Sequence, residues 1–377
     1  MICQRTRQDY DWRHGDASGH AKSKPHCEDE WAEGGRQFYH LTSPMLAPPS
    51  LKSIPRYPVT AGVAAMAIAV TAMWGFDQSI DWAVMNHRVF AKWELWRTLT
   101  STLPHVGILH LAFNLYWLRT FGTLVEKVYG HLKCAGIYLL LAFGASLAEF
   151  SLFIGGFGLS GVGYGLWGML WVLEKRDPRF AQAVDYQTSR LFVIWFFVCI
   201  ALTVTNVMPV ANAAHGMGAV LGVLIGLSVS GNRSSKWMSK VGIVAILMAC
   251  LACATVFWPW VNLSSYAEDE VEQAGYEALG HNQNAEAVKW LEICVRMKNP
   301  PARAWYNLGI AYQRLDKYED AAKAYERAVD LPDASSEMKQ AAQSLKDYLS
   351  WNNGILSSKD EGKTNAEPVM PAAQTNR

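Results

Sequence analysis

Long apolar segments alternate with short polar loops between about residues 59 and 260, and this pattern predicts a polytopic membrane protein. Seven spans are expected, at about residues 59–75, 104–124, 134–154, 160–173, 191–208, 209–230 and 241–258. The fourth span covers roughly 21 Å of helix, against a hydrocarbon core of about 30 Å. We therefore expect its outer end, which begins at Ser160, to lie below the membrane surface.

Polar composition marks the regions on either side of the apolar segments. Residues 1–55 combine mixed charges with a proline-rich run and are predicted to be disordered, with Met45 as an alternative start. Six helices are assigned to a membrane core at 56–231, and the seventh helix to 232–260. A helical repeat region is predicted at 261–350, followed by a disordered tail at 351–377.

The C-terminal region repeats itself with a period of 34 residues, which separates Gly275 from Gly309 and Ala287 from Ala321. Its second unit resembles the tetratricopeptide repeat, a helix-turn-helix unit of this period, through Trp305, Leu308, Gly309, Tyr312, Ala321, Tyr325, Ala328 and Pro332. The first unit is degenerate, and residues 336–350 are expected to form a capping helix. The predicted fold class is therefore all-α, a membrane helix bundle with a C-terminal helical repeat domain.

Lys and Arg residues in the short loops predict the orientation. They precede the first span and follow the second, fourth and sixth spans, whereas the loops after the third and fifth carry none. The loop after the first span is the exception, because it carries Arg88, Lys92 and Arg97, and this longer, aromatic-rich loop is expected in the outer interface. The positive-inside rule then puts the N-terminus in the cytoplasm of a multi-pass cell-membrane protein. With seven spans, the acidic repeat domain is expected on the extracytoplasmic side.

Composition excludes several other classes of function. A net charge of +1 gives no reason to expect nucleic-acid binding. The seven cysteines do not form a disulfide framework, and the C-x-x-C pair of Cys250 and Cys253 has no second pair nearby. No H-E-x-x-H motif occurs, so neither a metal site nor a cofactor is expected.

Polar residues at similar depth in three spans are the candidate chemistry. His110 lies six residues beyond Pro104 and His215 six beyond Pro209, so each is expected roughly 9 Å deep, close to the expected depth of Ser160. Ionisable side chains are costly in hydrocarbon and mark functional sites by default. We therefore expect the three residues to converge inside the membrane.

A serine needs a base to become nucleophilic, and His215 is the only histidine in the second half of the membrane region. Glycines at helical spacing in the fourth and sixth spans permit the close approach that this pairing requires. His110 and Asn114 share one helix face, and with the Ser160 backbone N–H they are candidate oxyanion donors. Each of these residues also has a structural interpretation when it is considered alone. The serine would suit helix packing, and Asn114 would suit an interhelical hydrogen bond. His110 and Glu149 would suit the membrane interface.

Taken together, these residues resemble those of the rhomboid intramembrane serine proteases. The resemblance rests on Trp96, Arg97, His105, His110, Asn114, Glu126, Lys127, Gly130, Gly158, Ser160, Gly161, Tyr164, Gly168, Ala214, His215, Gly218 and Gly222. It implies a Ser160–His215 dyad, with Ser160 as nucleophile and His215 as general base and acid, and with no third acid.

The resemblance also implies roles around the dyad. His110, Asn114 and the Ser160 backbone would form the oxyanion hole, and Tyr164 would pack against His215. Supporting positions would be His105, Trp96, Arg97, Gly158, Gly161, Gly218 and Gly222. Gly165 stands where the family often has alanine, and the seventh helix and the repeats lie outside the family core.

The expected function is therefore that of a serine endopeptidase that cuts transmembrane segments of single-pass or polytopic membrane proteins within the lipid bilayer. The repeats would bind a protein partner. The alternative is a catalytically silent membrane scaffold that holds partners through its repeats.

Overall fold

A computed structural model describes residues 49–86, 89, 93–264 and 267–358 of the chain. Helices joined by loops account for these residues, and no strand occurs among them, which confirms the all-α prediction. The alternative start at Met45 and the terminal segments 1–48 and 359–377, where disorder was predicted, lie outside the described residues.

The first described elements are a short 3-10 helix and the first membrane helix. A 3-10 helix, Leu51–Arg56, covers residues that the sequence pattern assigned to a disordered region. Helix α1, Pro58–Gly75, follows after one residue, with a proline at its first position, where the missing N–H costs no helical hydrogen bond.

The second expected span begins later than predicted and has three parts. Helix α2, Ile108–Trp117, continues through a π-helical turn, Leu118–Gly122, into α3, Thr123–Tyr129. The expected start at Pro104 is wrong by four residues because Gly107 holds a φ of +87°, which helical residues do not adopt. The segment before Gly107 is apolar enough to suit a helix but forms a loop.

Five further helices complete the membrane core and the seventh span: α4, His131–Leu152; α5, Ser160–Leu173; α6, Tyr186–Val204; α7, Asn212–Ser230; and α8, Arg233–Thr255. The bounds of α5 agree with the expected ones. Helices α6 and α8 begin earlier than the apolar pattern indicates, because Asp185 and Asn232 cap their N-termini by accepting hydrogen bonds from the backbone N–H groups of Thr188 and Ser235. Helix α7 begins three residues after the expected start at Pro209.

Five of these helices, α1, α4, α6, α7 and α8, are long and apolar enough to cross a bilayer. Helix α5 has only 14 residues, and the second expected span is divided by its π-helical turn. The protein is thus a membrane helix bundle, while the count of seven spans and the domain boundaries stay predictions.

Helices α5 and α7 pack closely along a line of glycines. A Cβ on Gly218 would overlap the carbonyl oxygen of Gly161, and a Cβ on Gly222 would overlap that of Gly165. Small residues at such a contact let two backbones approach each other. This approach brings the first turns of the two helices side by side.

The repeat region has the architecture that its 34-residue period predicts. The short helix α9, Trp258–Val261, leads into it, and its helices are α10, Ala267–Gly280; α11, Asn284–Cys294; α12, Ala302–Gln313; α13, Tyr318–Val329; and α14, Ser336–Ser358. Gly275 and Gly309 occupy equivalent packing positions in successive units. A Cβ on Gly275 would clash with the side chain of Leu291, and a Cβ on Gly309 would clash with that of Tyr325. The last helix extends beyond the expected end at residue 350.

A buried polar network joins the two repeat units. Asn307 Nδ2 donates to Glu272 Oε1 over 2.8 Å, and Arg303 Nε donates to Glu272 Oε2 over 3.1 Å. Burial raises the pKa of the Glu272 carboxyl above its ordinary value, and the neighbouring Arg303 guanidinium opposes that shift. The acid is therefore held in the interface by partners from the second unit.

The segment that connects α8 to the repeats is attached to the C-terminal end of α4. Trp258 stacks on Phe150 with 5.5 Å between ring centroids, and its Nε1 donates to the Phe150 carbonyl over 2.8 Å. The backbone N–H of Leu263 donates to the Leu152 carbonyl over 2.7 Å, and Asn262 Nδ2 to that of Phe153 over 2.9 Å. These bonds satisfy carbonyl groups that the end of a helix leaves unpaired.

Candidate active site

Ser160 and His215 meet where α5 and α7 begin. Ser160 is the first residue of α5, and its Oγ lies 2.7 Å from His215 Nε2, which is hydrogen-bond distance. His215 is 3% exposed, whereas Ser160 is half-buried. The imidazole stacks on the ring of Tyr164 with 4.7 Å between centroids and 25° between planes. The arrangement provides a hydroxyl, an adjacent base and a ring that fixes the orientation of the base.

Tyr164 is itself fixed, because its hydroxyl donates to the Phe192 carbonyl in α6 over 3.0 Å. At the edge of the imidazole away from Ser160, the Nδ1 atom of His215 is buried and has no hydrogen-bond partner in the part of the chain that the structure describes. Among those residues, the imidazole itself is therefore oriented by the packed Tyr164 ring and not by a carboxylate bonded to Nδ1.

Gly158, in the loop before Ser160, has a conformation that other residues rarely adopt. Its φ is +102°, and an added Cβ would lie 2.9 Å from His110 Cε1 and 3.2 Å from His105 Cδ2. A side chain at this position would thus meet both rings in addition to the backbone strain. Glycine allows the loop to pass between the two histidines and to turn into α5.

His105 holds this loop in place. Its Nδ1–H donates to the Leu103 carbonyl over 2.8 Å, and its Nε2 accepts a hydrogen bond from the backbone N–H of Leu159 over 3.2 Å. The ring also meets that of His110 edge to face, with 5.0 Å between centroids. His105 therefore supports the backbone directly before Ser160 and does not itself contact the dyad.

The expected oxyanion donors lie on α2, where the ring of His110 is next to Gly158 in the loop before Ser160. His110 lies in the first turn of that helix, and Asn114 is buried one turn later on the same face. Asn114 Nδ2 donates to the His110 carbonyl over 3.0 Å, which orients the amide towards the start of the helix. The N-terminal end of α5 adds the backbone N–H of Ser160 and the positive end of the helix dipole.

Trp96 and Arg97 organise the loop between α1 and α2 and lie apart from the dyad. Arg97 is 3% exposed, and its guanidinium donates to the carbonyl oxygens of Asp81 and Val84. Trp96 Nε1 donates to the Trp82 carbonyl over 3.3 Å. Both residues support the shape of this loop.

The observed starts of α2 and α7 differ from those used to predict the depths of His110 and His215. Because α2 begins at Ile108 and α7 at Asn212, His110 and His215 are not six residues inside their helices, as counted from the prolines. All three key residues lie instead in the first turns of α2, α5 and α7.

Sequence reasoning missed polar groups whose partners are distant backbone atoms. Glu149 Oε2 accepts a hydrogen bond from the backbone N–H of Ala214 over 2.9 Å, directly before His215. Ser101 supports the loop before α5, since its carbonyl accepts from the backbone N–H of Gly158 over 3.3 Å and its hydroxyl lies 3.2 Å from that of Ser146. The one available signal was the cost of burying a carboxyl in an apolar segment.

Among the described residues, no group of three or more His, Cys, Asp or Glu side chains is arranged to hold a metal ion. The cysteines in the same part of the chain, including Cys250 and Cys253, are free.

Comparisons with known proteins identify two families along the chain. The Rhomboid domain family matches residues 92–232, and the Tetratricopeptide repeat family matches residues 302–331. Rhomboid protease GlpG of Haemophilus influenzae is 30% identical over 170 residues, which cover 43% of this chain and 84% of the relative.

Two other relatives extend the comparison. Rhomboid protease GlpG of Serratia proteamaculans is 33% identical over 173 residues, or 45% of this chain, and rhomboid protease GluP of Bacillus subtilis is 25% identical over 252 residues, or 66% of this chain. The chain spans 61% of the length of the first and 48% of the length of the second. The match to the second extends beyond the membrane core.

Proposed function

Because this chain belongs to the rhomboid family, we propose that it is an intramembrane serine protease that hydrolyses peptide bonds of membrane-protein substrates. The observation that carries the proposal is the 2.7 Å contact between Ser160 Oγ and His215 Nε2 at the start of a short helix inside an apolar bundle. A hydroxyl at this distance from an imidazole can transfer its proton as it attacks a carbonyl.

In the first step, Ser160 Oγ attacks the carbonyl carbon of the substrate while His215 Nε2 takes the hydroxyl proton. The resulting tetrahedral intermediate carries a negative charge on the former carbonyl oxygen. When it collapses, the C–N bond breaks, and His215 returns the proton to the leaving amine. The acyl half of the substrate stays attached to Ser160 as an ester.

In the second step, a water molecule attacks the ester carbonyl while His215 Nε2 takes one of its protons. The bond to Ser160 Oγ then breaks, the proton returns to Ser160, and the carboxylic acid product leaves. The half-buried position of Ser160 supports this step, because a fully enclosed hydroxyl would exclude both substrate and water.

Stabilisation of the oxyanion is assigned to His110, Asn114 and the backbone N–H of Ser160. Donors that are fixed before the reaction stabilise the developing charge without reorganising, which is often the largest single contribution to catalysis. The rigid loop around Gly158 and His105 supports this assignment because it keeps the start of α5 in place.

A silent scaffold remains the alternative from another class of function. The retention of both a serine and a histidine in contact speaks against it, since a scaffold has no need of this pair. The two candidates differ in one chemical property, the reactivity of Ser160.

A fluorophosphonate probe tests that reactivity directly. We expect the probe to label the wild-type protein and to leave Ser160→Ala unlabelled at equal protein amounts, because only an activated serine reacts. Equal labelling of both proteins would contradict the proposal. A folded wild-type protein that neither reacts with the probe nor cleaves a transmembrane substrate would contradict it as well.

The site is proposed to open towards the extracytoplasmic side of the cell membrane, with the N-terminus in the cytoplasm and the repeats outside. The distribution of Lys and Arg in the short loops supports this orientation. A reporter enzyme that is active only outside the cytoplasm, fused after Arg377, is expected to be active. Activity of a cytoplasm-specific reporter at the same position would reverse the assignment.

The repeat domain is proposed to bind a protein partner or the soluble part of a substrate. Its stacked helix pairs support this role, because such solenoids present extended binding surfaces. Truncation after Ser264 keeps the hydrogen bonds of Trp258, Asn262 and Leu263 to the C-terminal end of α4. We expect the truncation to slow cleavage of a native substrate more than that of a generic transmembrane segment, and equal effects on both substrates would refute this role.

A further inference from the structure

Glu149 is a buried carboxyl that the proposed mechanism does not use. It lies near the C-terminal end of α4, is 4% exposed, and contacts two segments that carry the dyad. A carboxyl at such a position is costly unless its oxygens are hydrogen-bonded. Its partners therefore indicate what it is for.

The first segment that Glu149 contacts is the N-terminal turn of α7. This helix has Ala211 as its N-cap, which offers no side-chain acceptor to the unpaired N–H groups of the first turn. Glu149 replaces the missing cap from another helix, since its Oε2 accepts from Ala214 N over 2.9 Å and the N–H of Ala213 interacts with the same carboxyl. His215 is the next residue, so this bond fixes the backbone from which the imidazole projects.

The second segment is the loop that leads to Ser160. A Cβ on Gly156 would lie 3.4 Å from Glu149 Cγ and would overlap Ala211 Cβ, so the loop packs directly against both residues. One side chain thus touches the backbone before the hydroxyl and the backbone before the imidazole. A change in its position would alter the distance between the two.

The end of α4 that carries Glu149 is held by α9, the short helix before the repeats. The next residue, Phe150, is covered by the indole ring of Trp258, which also donates to its carbonyl. The backbone N–H of Phe153 closes the last turn by donating to the Glu149 carbonyl over 2.7 Å. The carboxyl therefore projects from a rigid support.

We propose that Glu149 is a positioning residue for the dyad. By capping α7 and supporting the 155–159 loop, it keeps His215 Nε2 within hydrogen-bond distance of Ser160 Oγ. It does not touch the reacting atoms. The inference rests on the proposed protease function and deepens it, because it assigns the alignment of the dyad to a third helix.

The test compares Glu149→Leu, Glu149→Gln and Ser151→Ala as purified full-length proteins in liposomes with a transmembrane substrate. Leucine fills the space without an acceptor, whereas glutamine keeps one carbonyl oxygen for the cap. Ser151 is the matched control, since it is a buried polar residue on the same helix that bonds to the Leu147 and Cys250 carbonyls, away from the dyad. Wild type and Ser160→Ala give the upper and lower limits of activity.

We expect Glu149→Leu to lower kcat about 10- to 100-fold with KM nearly unchanged, because misplacing a catalytic group has effects of this size. The rate of fluorophosphonate labelling should fall by a similar factor. Glutamine should recover most of the loss but keep kcat measurably below wild type, by less than about 10-fold, since one hydrogen bond is retained and one is lost. Ser151→Ala should keep wild-type kcat and labelling.

Wild-type kcat and labelling rate in both Glu149 variants would overturn the inference, and so would a loss confined to KM or to the amount of folded protein. If Glu149→Leu does not fold, Glu149→Gln decides: a lower kcat at unchanged KM supports the role, and wild-type values refute it. Failure of the proposed function looks different, because wild type would then cleave no more than Ser160→Ala.

Discussion

Replacing Ser160 with alanine is expected to reduce kcat for a transmembrane substrate by roughly 10⁴-fold or more, as loss of the nucleophile does in other serine proteases. Alanine removes the hydroxyl that forms the acyl intermediate and is well tolerated at the start of a helix. Helix α5 and its contacts should therefore be retained. Cleavage in liposomes, measured at equal amounts of folded protein, checks the prediction.

Ser228→Ala is the matched control for this substitution. Its hydroxyl also lies within the bundle, but it donates only to the Ile225 carbonyl of its own helix over 2.8 Å. This variant should cleave at the wild-type rate. Residual cleavage by Ser160→Ala at the level of the Ser228→Ala control would mean that another group is the nucleophile.

Replacing Gly222 with alanine is expected to have the second-largest effect, on stability and activity together. The added Cβ would overlap the carbonyl oxygen of Gly165, and backbone atoms cannot turn away as a flexible side chain can. Overpacking of this kind costs about 1–3 kcal/mol. Because α5 and α7 must separate, the distance between Ser160 and His215 should increase, and kcat should fall at least about 10-fold.

Gly163→Ala provides the comparison, since a Cβ at this position on α5 meets no atom within 4 Å. Alanine also favours a helix over glycine by roughly 1 kcal/mol. This variant should unfold at the same temperature as wild type or above it and should cleave normally. Equal loss of stability in the two variants would show that the close approach of α5 and α7 is not what makes Gly222 necessary.

The membrane helices were predictable because their signals are local. Helix α5 agrees with its expected bounds since a glycine-rich loop precedes it and a charged segment follows. The repeat units were equally readable, because a fixed period marks the same packing position twice, at Gly275 and Gly309. Patterns within one stretch of sequence determine these features.

The start of α2 was not predictable in this way. Apolar residues continue through Pro104 and Val106, so periodicity extends the helix backwards. The loop conformation depends on His105, whose ring bonds to Leu159, a residue 54 positions away. A contact between residues so far apart in the sequence does not affect the local pattern of apolar and polar residues.

The same reason explains why the contacts of Glu149 and Trp258 could not be inferred from the sequence. Glu149 bonds to the backbone of Ala214, 65 residues away, and Trp258 bonds to the backbone of Phe150, 108 residues away. Backbone groups are nearly the same in every residue, so the residue type of the partner does not indicate the hydrogen bond. Only the tertiary arrangement reveals that both side chains support the region around the dyad.

The most direct test of the central claim is to locate the cut in a transmembrane substrate by mass spectrometry of the products formed in liposomes. The account predicts a single region of cleavage within or at the border of the membrane-embedded segment, present with wild type and lost with Ser160→Ala and with His215→Ala. Cleavage confined to soluble parts of the substrate, or the same products from all three proteins, would contradict it.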